Sequence, residues 1–85
     1  MKPETVCIEA AFGSVIKKLR KDLGISQETL AFDSGLDRSY ISQLERGKRQ
    51  ASIITVFQIS KALNTSPADV VRLVQDMHYG NREKV

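Results

Sequence analysis

A chain of 85 residues has room for one domain and little surface for a deep catalytic cleft. Its composition, 41% hydrophobic and 27% charged, is that of an ordinary globular fold, and its lone cysteine, Cys7, excludes an intramolecular disulfide. The net charge of +3 suits an acidic partner such as nucleic acid without requiring one; no run reaches the ~18 apolar residues of a membrane span.

Residues 1–9 and 78–85 read as tails around a single domain spanning 10–77. In the first helix Phe12, Ile16, Leu19 and Leu23 recur at helical spacing and define one face. Lys17, Arg20 and Lys21 fall off that stripe, and Gly24 closes the helix. Ser26 caps a second helix, Gln27 to Ser34, stopped by Gly35. Asp37 is placed to cap a third, from about Arg38 to Arg46, stopped by Gly47. Neither cap has Glu or Gln three residues on, so neither forms a full capping box.

A fourth helix opens at Ser52, with Ile53, Val56, Phe57, Ser60 and Leu63 on its inner face, Ile59 beside them, and Asn64 at its end. Ser66-Pro67-Ala68-Asp69 combines a cap, a proline at the first helical position and an acid at the third. It starts a fifth helix, on which Val70, Leu73, Val74 and Met77 suit the core, with His78 at the surface beyond it. No segment alternates apolar and polar residues long enough for a strand. The expected fold class is all-α, a compact five-helix domain.

The informative unit runs from Ser26 to Gly47: two short helices joined by Gly35-Leu36-Asp37, with the small Ala31 where they cross and Leu30, Leu36, Ile41 and Leu44 beneath. With Ile41 and Leu44 facing inward, Arg38, Ser39, Ser42, Gln43 and Arg46 form the outer stripe. All five can hydrogen-bond and none is negative, as a helix lying in a major groove requires. Arg38 can bind guanine bidentately, Gln43 can bind adenine bidentately, and Ser39 and Ser42 can serve either base. Ser26 and Gln27 open the second helix, where free N–H groups favour a phosphate; capping by Ser26 is compatible with that role. Tyr40, Arg46, Lys48 and Arg49 complete the expected phosphate contacts. The Lys17, Lys18 and Lys21 cluster reads equally well as a solvated face.

These stretches resemble the Cro and lambda-repressor-like (xenobiotic-response-element type) helix-turn-helix family over residues 11 to 75. The similarity is carried by Phe12-Gly13-Ser14-Val15-Ile16-Lys17-Lys18-Leu19-Arg20, by Gly24 through Ala31, and by Leu36 through Arg49. The Leu36-Asp37-Arg38-Ser39-Tyr40-Ile41-Ser42 portion is especially similar to the controller proteins of bacterial restriction–modification systems. The resemblance implies a lambda-repressor-like five-helix fold and operator binding as a homodimer. It implies that the start of the second helix touches phosphate and the third helix reads bases. It also implies an ion pair between Arg20 and Glu45. Ser34 stands where the family has a small apolar residue.

The function expected is sequence-specific binding of double-stranded DNA and transcriptional regulation by repression, as a dimer joined through Val71, Val74 and Met77. Two recognition helices ~34 Å apart would then match one turn of duplex. The alternative is a protein-interaction or antitoxin-like module on the same scaffold. No nucleophile–base pair, paired carboxylates or phosphate-cradling glycine loop points to an enzyme. No cofactor, metal, small-molecule ligand or membrane partner is expected, one His and one Cys being too few for a metal site. A cytoplasmic location is the default, the N-terminus lacking a signal-peptide layout.

Overall fold

The computed structural model describes residues 6–80 as five α-helices: α1 (Ile8–Asp22), α2 (Gln27–Ser34), α3 (Arg38–Glu45), α4 (Ile53–Ala62) and α5 (Pro67–His78). Local chemistry sets their starts. The hydroxyls of Ser26, Ser52 and Ser66 accept the backbone N–H of Thr29, Thr55 and Asp69 at 3.0, 3.1 and 3.0 Å. Each satisfies one of the orphan donors that open a helix. The Sγ of Cys7 does the same for Ala10 at 3.4 Å. Asp37 departs from expectation: its backbone is extended as a cap should be, but its side chain makes no capping bond.

Helix α1 crosses both α5 and α3, while α2 sits between α3 and α4. Phe12, Val15 and Ile16 of α1 meet Leu30 and Ala31 of α2, Ile41 and Leu44 of α3, Val56 and Ile59 of α4, Leu63, and Val70 of α5. Gly13 lies at the closest approach: a Cβ there would stand 2.3 Å from the Leu44 carbonyl oxygen and 2.7 Å from that of Glu45. Polar atoms inside are satisfied. Ser34 donates to the Leu30 carbonyl at 2.7 Å, which explains why a hydroxyl is accepted there. Ser60 donates likewise to Val56 at 2.7 Å. Among the described residues no buried side-chain nitrogen or oxygen lacks a partner.

Three sequence expectations are corrected. On α4 the inner face is Thr55, Val56, Ile59 and Ser60, whereas Ile53 and Phe57 are 64% and 57% exposed. The helix is covered chiefly by α2 and α5, and a residue one step past Val56 turns about 100° out of that crevice. On α5 only Val70 is fully enclosed; Leu73 and Met77 stay partly exposed beside α1, because α5 packs chiefly on α1 and α4. Leu23 sits just past the end of α1 and is exposed.

Helix also reaches into both segments read as tails, since α1 starts at Ile8 and α5 includes His78. The Val6 N–H donates to the His78 carbonyl at 3.1 Å, and His78 Nδ1 meets the Val6 carbonyl oxygen, so His78 is half-buried and not a free surface residue. The remaining tail residues, 1–5 and 81–85, lie outside the described residues.

Candidate nucleic-acid interface

The α2–α3 turn depends on Gly35, whose φ of +74° places it in the left-handed region open to glycine. The Leu36 N–H then closes on the Ala31 carbonyl at 2.9 Å. Ala31, nearly buried, keeps the two helices close. Ile41 and Leu44 are fully enclosed, so α3 is held from one side only. Its other side presents Arg38, Ser39 and Arg46, all exposed, with Ser42 and Gln43 half-buried between them. Eight helical residues span about 12 Å, comparable with the ~12 Å width of a major groove.

The two ends of α3 are tied together through α2. Arg20 donates from Nε to Glu45 Oε2 at 2.6 Å, from a second nitrogen to Glu45 Oε1 at 3.0 Å, and from the third to the Ile25 carbonyl at 2.9 Å. The carboxylate is almost wholly buried and the guanidinium nearly so. The hydrogen bond to Glu45, with the attraction of its charge, raises the Arg20 pKa above the usual guanidinium range. Gln27 Nε2 donates to the same Glu45 Oε1 at 3.0 Å, and its Oε1 accepts from Arg38 at 3.4 Å. A carboxylate can only accept and a guanidinium only donate, so the orientation of the Gln27 amide is fixed chemically from both sides. Gln27 therefore links Glu45 at one end of α3 to Arg38 at the other.

Tyr40 and Gln43 of α3 and Arg49 beyond it are engaged with one another and with the α3–α4 connection. Tyr40 donates its hydroxyl to the Gln50 carbonyl at 3.3 Å. The Arg49 guanidinium lies 5.0 Å over the Tyr40 ring and donates to Gln43 Oε1 at 2.9 Å. Arg46 and Lys48 are exposed beside them. Ser26 is engaged as the α2 cap and also donates to the Thr29 hydroxyl at 3.1 Å. Lys17, Lys18 and Lys21 are exposed, and Lys18 pairs with Asp22 at 3.3 Å.

Val71, Val74 and Met77 lie on successive turns of α5, Val74 half-buried and the other two exposed. Val71 and Val74 line an apolar cleft with Ile8, Phe12 and Val56, whereas Met77 lines another with Leu73, Val15 and Leu19. Further exposed apolar residues stand on α4, at Ile53, Ile54 and Phe57. The sequence signal for them was present, since α4 carries more apolar residues than one face can bury.

This geometry is that of a helix-turn-helix protein, and the chain belongs to that family, whose model matches residues 16–70. It is similar to the control protein C.BamHI of Bacillus amyloliquefaciens, with 42% identity over 65 residues, covering 75% of this chain and 80% of that one. The restriction–modification controller C.AhdI of Aeromonas hydrophila superposes with a TM-score of 0.71 at 44% identity, covering 73% of this chain and 94% of its own. The C.Esp1396I tetramer, crystallised on its natural 35 base-pair operator, superposes with a TM-score of 0.77 at 35% identity, covering 85% and 95% of the two chains. Among the described residues no helix is long and apolar enough to cross a membrane.

Proposed function

We propose that this protein binds double-stranded DNA sequence-specifically and regulates transcription, repressing from a two-fold symmetric operator as a homodimer in the cytoplasm. One observation carries the reading: an eight-residue helix anchored from behind by Ile41 and Leu44 presents an outer face with hydrogen-bonding groups and no negative charge. The similarity to controller proteins, one of them crystallised on operator DNA, supports it. Arg38, Ser39, Ser42 and Gln43 are assigned to base edges, and the opening N–H groups of α2, Arg46 and Lys48 to phosphates. Tyr40 acts by positioning Arg49.

Selection from a random duplex pool is expected to return a symmetric consensus; no enrichment at modest ionic strength would overturn the reading. Arg38→Ala should cost ~1–3 kcal/mol on the selected site and relax preference at one position of each half-site. Lys48→Ala should instead weaken all duplexes alike and lower the salt slope by about one. Equal losses on cognate and random DNA for Arg38→Ala would remove Arg38 from the base-reading set.

The dimer surface is assigned to Val71, Val74 and Met77 of α5, extended by the exposed Ile53, Ile54 and Phe57 of α4. Exposed apolar residues grouped in this way mark an association site. Phe57→Asp should leave the helical circular dichroism intact, since Phe57 is outside the core, and shift sedimentation from dimer to monomer. Unchanged sedimentation would place the interface elsewhere.

A further inference from the structure

Resting on the DNA-binding reading, we infer that Arg49 is a specificity-determining residue and not a phosphate clamp. Arg49 and Gln43 act as one composite reader that selects guanine at the base pair Gln43 faces. A guanidinium has no acceptor, so the Gln43 atom 2.9 Å from Arg49 is necessarily the amide oxygen. Glutamine reads adenine by accepting from N6–H₂ while donating to N7. Here the accepting end is already occupied, and a positive group beside it opposes the approach of another donor. What remains to point outward is the Gln43 NH₂, supplemented by the N–H groups of Arg49. Guanine offers two acceptors in the major groove, O6 and N7; thymine offers one; adenine and cytosine each bring an amino donor against these donors.

The guanidinium is held where this requires. It stacks 5.0 Å over the Tyr40 ring, and Tyr40 is itself fixed by its bond to the Gln50 carbonyl at 3.3 Å. Gln43, Tyr40, Ser39 and Arg49 line one concavity between the α2–α3 turn, α3 and the α3–α4 connection. Arg49 thus reaches the reading face from outside the recognition helix.

The test is selection from a random duplex pool with the wild type, Gln43→Ala, Arg49→Ala and Arg49→Lys. Circular dichroism serves as a check on folding, which an exposed residue such as Arg49 should not disturb. The wild type should select guanine at the position whose preference is lost in Gln43→Ala. Arg49→Ala should free the Gln43 oxygen and shift that position toward adenine, with the guanine-to-adenine ratio falling about tenfold and other positions unchanged. Arg49→Lys keeps the charge but loses the planar fork, so it should shift the preference in the same direction. Wild-type selection of adenine at that position would overturn the inference. So would Arg49→Ala weakening every duplex by one factor while Arg49→Lys restores it, with DNA binding itself left standing. No consensus from the wild type would overturn both readings.

Discussion

Gly13→Ala should destabilise the domain by at least the ~1–3 kcal/mol of an overpacked core, although it adds only a methyl group. Helix propensity alone argues the opposite sign, since alanine in a helix interior gains roughly 0.5–1 kcal/mol over glycine. Contact decides the matter. The new Cβ would fall 2.3 Å from the Leu44 oxygen and 2.7 Å from the Glu45 oxygen. Both are backbone atoms, so no side chain can rotate away and α1 and α3 must part. For a domain whose whole stability is of order 0.05–0.15 kcal/mol per residue, that is a large share. Urea unfolding should show a clearly lower midpoint, and operator affinity should fall further than the folded fraction, because the end of α3 is what moves. A midpoint equal to or above wild type would contradict the close crossing of the two helices.

Glu45→Ala should be comparably severe, at about 3–5 kcal/mol, because it leaves the nearly buried Arg20 guanidinium without its counter-charge. A guanidinium stays protonated at any ordinary pH, so deprotonation offers no escape. The carboxylate also holds Gln27, and through it Arg38, so base preference should loosen along with stability. Removing both charges, as in Arg20→Met with Glu45→Leu, should recover most of the stability, since such a pair contributes less than the penalty for breaking it. Thermal melts of the two singles and the double give the coupling directly. Additive losses would mean that the two side chains do not act as a pair.

What could be read from the sequence was mostly what is decided locally. Serine caps at Ser26, Ser52 and Ser66, the Gly35 turn, and the inward pairing of Ile41 with Leu44 all depend on neighbours within a few residues. Asp37 shows the limit even there, because its extended backbone alone marks the helix start. On α4, apolar residues stand at 53, 54, 56, 57 and 59, so periodicity cannot choose a face; the positions of α2 and α5 do. The ion pair of Arg20 with Glu45 came from family resemblance and not from spacing. The bonds of Gln27 to Glu45 and of Arg49 to Gln43 were not legible, because these residues become neighbours only after α3 folds back against α2 and the α3–α4 connection.

The bond between Val6 and His78 joins residues 72 positions apart, and α1 rests along α5. On a ribosome, then, α1 through α4 emerge with the Val15 side of α1 still uncovered, and their assembly waits for α5 to follow.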